Sequence, residues 1–209
     1  AHAYAKDRKQ GRAVDAKGEG ASAIIRHPDI RRMLMIMRAK TDAARAVCYM
    51  TAAAIDRAHR ETDPKRKAAA VSRAALLTPV AKAWSTDIGI EVASLGIQIH
   101  GGMGFIEASG AAQHLRDARI AAIYEGTNGI QAIDLVTRKV TLDGGEAINQ
   151  LIRDMMSILD DLDEANHKDF DRAAQSLSEA LGAFERASLL MIDAATHRPS
   201  EALASATAY

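Results

Sequence analysis

Between Gln98 and Gln131 the chain reads QIHGGMGFIEASGAAQHLRDARIAAIYEGTNGIQ. This stretch holds a dense glycine cluster, Gly101-Gly102-Met103-Gly104, and an acid, Glu125, between an apolar run and Gly126. Glycines let a backbone turn sharply and let a ligand come close to it. An acid preceded by Ile120, Ala121, Ala122, Ile123 and Tyr124 is in a setting where burial raises a carboxyl pKa. A helix N-terminus pulls the other way, toward the ionised form. Tuned between these limits, Glu125 could take a proton next to a carbonyl. On pattern alone the glycines suit a tight helix–helix turn as well as a ligand loop, and most helical glutamates are only surface charges.

Other chemistries lack their residues. A dinucleotide fingerprint needs a third glycine after a strand, but Glu107 follows Gly104 and the preceding residues read as helix. No Gly-Lys-Ser/Thr ends a phosphate loop, and no Gly-x-Ser-x-Gly elbow is present. His59, His100, His114, His167 and His197 have no histidine at i+4, and no Cys-x-x-Cys occurs, so no metal site is expected. Met33, Met35 and Met37 read as core filler. Trp84 and Tyr124 could each cover a flat ligand, with packing the plainer role.

The 209 residues carry no net charge, so no overall field draws the chain to nucleic acid or membrane. The charge is uneven: ten Lys/Arg against four acids over 1–40, and nine acids against three Lys/Arg over 142–172. A basic head suits phosphate ligands, though solvation explains most charged surfaces. The single Cys48 excludes an internal disulfide framework, fits a reducing cytoplasmic compartment, and lies on an apolar stripe that predicts burial. No run approaches the roughly 18 apolar residues of a membrane span, and no leader opens the chain. Both ends read as cut from something longer.

The elements that would position the site are helices. Residues 1–16 read as the tail of one, broken by Gly18 and Gly20. Pro28 opens the next, in which Ile30, Met33, Leu34, Met37, Ala44, Val47, Cys48 and Ile55 keep helical spacing up to Thr62-Asp63-Pro64. Residues 64–99 form a further helix that Pro79 should kink or split. A short helix at Ala111–Arg116, a connector at Asp117–Tyr124 and a helix at Gly126–Val140, with Thr127 and Asn128 as caps, complete the first domain, 1–141. Leu142-Asp143-Gly144-Gly145 reads as a linker. The second unit, 142–209, opens with one apolar helical face: Ile148, Leu151, Ile152, Met155, Leu159 and Leu162. A helix with its seam on Ala173, Leu177, Ala180, Phe184, Ala187, Met191 and Ala194 follows. A turn at His197–Ser200 then leads to a last helix. No stretch alternates long enough for a strand, so the fold class is all-α, a bundle of long antiparallel helices with an extra helical unit.

Three groups of residues in this order resemble the C-terminal helical domain of the acyl-CoA dehydrogenases. They are Gln98-Ile-His-Gly-Gly-Met-Gly-Phe105, Leu115-Arg-Asp-Ala-Arg119, and Ile123-Tyr-Glu-Gly-Thr127 with Ile130-Gln131. Tyr4-Ala-Lys-Asp-Arg8-Lys-Gln10-Gly11 resembles the motif that ends an earlier helix of that domain, and His27-Pro28-Asp29-Ile30-Arg31-Arg32-Met33-Leu34 resembles the start of the next. Residues 145–209 are similar to the additional unit of a branch of longer bacterial members, those like 3-methylmercaptopropionyl-CoA dehydrogenase.

The resemblance implies an FAD enzyme that places a double bond between Cα and Cβ of an acyl-CoA thioester and passes electrons to electron-transfer flavoprotein. It implies Glu125 as the base, with its N–H polarising the thioester carbonyl, and Tyr124 and Gly126 lining the acyl pocket. It implies that Arg8, Gln10, Gln98, Gly101 and Gly102 meet the FAD of a neighbouring subunit, and that Thr127 meets the FAD of its own. A homo-oligomer, a dimer or a dimer of dimers, follows. Two departures stand out: Gln10 leads directly to Gly11 where the family often has Phe, and Gly129 replaces a frequent Gln. The N-terminal helical and middle β domains of the family are not in this sequence, so the chain alone is expected to be inactive. A nitroalkane-oxidising or alkylation-response flavoprotein, or a non-catalytic helical oligomerisation module, are the alternatives.

Overall fold

The computed structural model describes residues 1–165 and 172–209. His167 and the acids Asp169 and Asp171, part of the sequence reading above, lie outside the described residues. The fold is all-α. Among the described residues there is no strand, only an isolated antiparallel bridge between Lys9 and Ala23.

Helix α1 spans His2–Asp7 and stops at Arg8, whose backbone is extended. The helix therefore ends well before Gly18. The charged run Lys6–Arg12 offers no apolar stripe to bury, and isolated short helices are marginal in water. The chain pairs instead with residues 22–24: Gln10 N–H donates to Ser22 O, Ser22 N–H to Gly11 O, and Ile24 N–H to Arg8 O.

Helix α2, Pro28–Arg60, and helix α3, Pro64–His100, follow, each opened by a proline whose missing N–H costs nothing there. Pro79 does not split α3. An interior proline costs about 3 kcal/mol. Pro79 is itself fully buried beside buried Leu76 and Leu77, and burying each leucine is worth about 1.5–3 kcal/mol. Packing wins. Beyond α3 come the single turn α4, Gly102–Phe105, and α5, Ala111–Ala121. Helix α5 continues through most of the stretch read from sequence as a connector. Helix α6, Asn128–Asp134, runs into a wide π turn over Leu135–Lys139.

Helix α7 is Glu146–Met156, α8 is Ile158–Ala165, α9 is Ala173–His197 and α10 is Pro199–Ser205. The chain divides into two compact units, with the divisions inside α2 and α3 and after Thr127.

The first unit holds Ala1–Cys48 and Lys82–Thr127. Its core is Ala5, Ile24, Met33 and Ile99, with Tyr4, Leu34 and Met37 packed around it. Two expectations fail here. Met35 is 71% exposed, because it is two positions from buried Met33 on a 3.6-residue period. Cys48 is exposed, its Sγ 3.6 Å from Ser85 Oγ. Along the stripe that predicts its burial, Met33 is buried and Ala44 and Val47 are half-buried, while Cys48 and Ile55 face out.

The second unit holds Tyr49–Ala81 and Asn128–Tyr209. Leu76, Leu77, Val140, Ala147, Ile148, Leu151 and Ile152 form one core, which includes most of the apolar face expected on α7. Val136, Met191, Ala194, Ala202 and Ala206 form another. The seam of α9 holds at Phe184, Met191 and Ala194 but shifts by one residue elsewhere: Leu181 and Ser188 are buried and Ala180 is exposed. Ser188 can be buried because its hydroxyl donates to Phe184 O and pairs with the Tyr209 hydroxyl at 2.7 Å. Burial pushes the Tyr209 phenol pKa up against that bond.

Candidate functional site

The sequence-derived site residues fall at two places in the first unit. One is the C-terminal end of α3. Gln98 is exposed on its last turn. Gly101 takes φ +60, its N–H donates to Gln98 O, and its own carbonyl accepts Gly104 N–H. At Gly101 and Gly102 an added Cβ would meet nothing within 4 Å, so their backbone faces open space. Gly104 differs. A Cβ there would lie 2.4 Å from Ile97 O, and backbone cannot give way, so this glycine is required by close approach.

Tyr4 stacks on His100 with ring centroids 4.3 Å apart, and Ala5 and Ile99 share the core. This brings the segment after α1 to the same end of α3. In that segment Arg8 and Gln10 are exposed and their side chains meet at 3.4 Å. The Gln10 carbonyl is 2.8 Å from His27 Nε2, which anchors the extended backbone between the two. Arg8 makes no ion pair among the described residues, so its guanidinium keeps its donors for an anion.

The other place is the bend Ile123–Thr127 between α5 and α6. Tyr124, Glu125, Gly126 and Thr127 are all exposed. Two successive residues are left-handed, Glu125 at φ +53 and Gly126 at φ +87. For a residue bearing a Cβ this costs roughly 1–2 kcal/mol. Helix α6 starts only at Asn128, so Glu125 precedes the helix rather than opening it. The apolar neighbours are mostly surface too: Ile120, Ile123 and Tyr124 are exposed, and Ala122 is buried.

The bend is tied to α3. Lys82 Nζ donates to Gly126 O at 2.6 Å. A hydrogen bond from a charged donor contributes about 1.5–3 kcal/mol, enough to offset the left-handed residue. Lys82 is half-buried. Sequence reading passed over it, although it is the one charge between Arg73 and Asp87 in an apolar run. A lone cation in such a run is the signal that could have found it.

Lys82 and Gln98 are separated by about 24 Å of helix at ~1.5 Å per residue. The glycine turn and Glu125 are therefore two places on one chain, not a cradle and a base side by side.

The sequence of residues 1–140 matches the family model described as "Acyl-CoA dehydrogenase, C-terminal domain". The chain belongs to the acyl-CoA dehydrogenase family. It is 47% identical over 181 residues to 3-methylmercaptopropionyl-CoA dehydrogenase of Ruegeria pomeroyi, covering 87% of this chain and 30% of that protein. A butyryl-CoA dehydrogenase of Syntrophomonas wolfei is 32% identical over 184 residues, 87% of this chain and 29% of its own. The broad-specificity linear acyl-CoA dehydrogenase FadE5 of Mycobacterium tuberculosis is 33% identical over 164 residues, 75% of this chain and 26% of its own. This acyl-CoA dehydrogenase chain thus spans under a third of the length of these curated relatives. A solved structure named "Bd2924 apo-form" aligns with a TM-score of 0.59 over 91% of this chain and 37% of its own. At 20% identity it shows a shared fold. No described helix is long and apolar enough to cross a membrane, and no described group of three or more His, Cys, Asp or Glu residues could hold a metal.

Proposed function

We propose that this chain is the C-terminal part of an FAD-dependent acyl-CoA dehydrogenase in which Glu125 removes the α proton of an acyl-CoA thioester. The observation that carries the reading is the backbone at Glu125. A long acid held left-handed on an exposed, mostly apolar bend has no use in packing, and such strain collects at functional sites. FAD, when bound, supplies the acceptor for the β hydrogen as hydride. The chain's own residues do the rest. The Glu125 carboxylate accepts the proton, and its backbone N–H polarises the thioester carbonyl as that oxygen gains charge. Tyr124 and Gly126 line the acyl pocket. Thr127 meets the cofactor of its own subunit.

The residues at the far end of α3 fit the cofactor of a neighbouring copy. Arg8 has an exposed guanidinium with a single hydrogen bond, to Gln10, and so has donors for a diphosphate, and Gly101 and Gly102 leave their backbone open to close approach. Gln98 and Gln10 supply amide donors there. The distance along α3 supports this division, since the two groups of residues lie about 24 Å of helix apart. On this reading the enzyme works as a homo-oligomer and delivers electrons to electron-transfer flavoprotein. The domain runs over 1–141 and the helices after it are an added unit. The relatives' names point to short acyl-CoA substrates, 3-methylmercaptopropionyl-CoA and butyryl-CoA among them.

The test is anaerobic mixing of the FAD-loaded full-length protein with each of these two thioesters, followed by flavin bleaching. Bleaching is expected with at least one. Glu125→Gln should slow it by at least about 10²-fold, the low end of a general-base contribution. Bleaching at the unchanged rate in that variant would remove Glu125 from the base role.

A further inference from the structure

The bend that presents Glu125 is held at a point outside itself. Its Gly126 carbonyl accepts the Lys82 ammonium at 2.6 Å, from the middle of α3. Resting on the reading of Glu125 as the base, we propose that Lys82 is a positioning residue that fixes the Glu125–Gly126 peptide units in their left-handed setting. Three observations carry this. Glu125 and Gly126 are both left-handed, so the Gly126 carbonyl is turned out of the path it would take in a continuous helix. The surrounding residues of the bend are exposed and supply little packing of their own. Lys82 is half-buried on a long helix, and its ammonium reaches the bend at 2.6 Å. A charged donor on a rigid element is what a strained loop needs to stay in one conformation. A misplacement of the base by about 1 Å is enough to cost as much as 10²-fold in rate.

The role differs from that of Glu125. Lys82 is not asked to touch substrate, so its loss should lower the rate of proton removal more than it weakens thioester binding.

The experiment compares Lys82→Met, Lys82→Gln and Lys82→Arg with Glu125→Gln in the full-length protein. The first readout is amide hydrogen exchange of the protein without FAD or substrate. Exchange in residues 123–127 should rise in Lys82→Met, while that around Gly101–Gly104 stays unchanged. The second is the anaerobic flavin-bleaching rate per bound flavin with butyryl-CoA. Lys82→Met should lower it roughly 10- to 10²-fold, with a smaller loss of thioester affinity. Lys82→Arg should recover most of the loss and Lys82→Gln less, in the order of charged and neutral donors. The Arg/Gln comparison carries the test if the Met variant does not fold. Unchanged exchange in the bend, or a bleaching rate that ignores the side chain at position 82, would overturn the proposal. If Glu125→Gln is slow while every Lys82 variant is fast, the base reading survives and Lys82 falls alone. If Glu125→Gln is itself fast, the base reading has failed independently of Lys82.

Discussion

Among the described residues, two turns hold a residue with a side chain in the left-handed region, Glu125 in the first unit and Asp143 in the second. Asp143, at φ 53 and ψ 35, begins a corner that continues through Gly144 and Gly145 with positive φ. Its short carboxylate accepts a hydrogen bond from Ser72 Oγ at 2.8 Å. Val140 just before it is fully buried, and Gly145 is buried where an added Cβ would come 2.9 Å from the flexible tip of Ile192. Asp is among the few residues that visit this region routinely. Local packing and a tolerant residue account for the corner. Glutamate is not such a residue. The side chain is long, the bend is exposed, and Lys82 on another helix donates to its Gly126 carbonyl. The same φ thus arises once in a packed corner and once on an exposed bend.

The sharpest way to break this comparison is Glu125→Gly. It removes the carboxylate and the left-handed cost together. Turnover of the full-length enzyme should fall by at least about 10²-fold. Thermal stability should hold or rise by up to about 1 kcal/mol, since glycine adopts the conformation freely but loses more entropy on folding. A clear drop in melting temperature would make the bend a packing feature like the other corner. Gly145→Ala tests the second turn. Ile192 Cδ1 can swing away, so the cost is the left-handed backbone, roughly 1–2 kcal/mol, read by thermal or denaturant unfolding. Turnover per folded molecule should not change. The mildest variant is Ser72→Ala, which leaves Asp143 without its donor. It should cost about 1 kcal/mol or less, because Ser72 is partly solvated and water can replace it. An activity loss in Ser72→Ala at full folding would show that the corner also serves the reaction.

The helices were legible to within a few residues wherever a long apolar period met a proline or glycine stop, as in Pro28–Arg60 and Pro64–His100. Errors came where tertiary contacts outweigh local preference. Pro79 stays inside one helix because Leu76 and Leu77 are buried beside it. Asp143-Gly144-Gly145, read as a loose linker, is a packed corner, because Gly145 lies against Ile192. Ser188 replaces Ala187 on the buried face of α9, because its hydroxyl finds Phe184 O and Tyr209. Periodicity marks apolar positions and is blind to a polar atom that is satisfied inside. The site was legible as motifs, Gln98–Phe105 and Ile123–Thr127, but Lys82 was not, since its partner is a carbonyl remote in sequence.

Sequence alone determined the all-α class, the family and the residue types available for chemistry. Those follow from hydrophobic period, from glycine and proline punctuation, and from short motifs whose chemistry is carried by the residues themselves. Tertiary structure decided that Glu125 is left-handed and held from α3, and that the glycine turn lies about 24 Å of helix away from that hold. A backbone dihedral and a distance along a rigid helix depend on contacts between residues remote in sequence, and no local pattern encodes those.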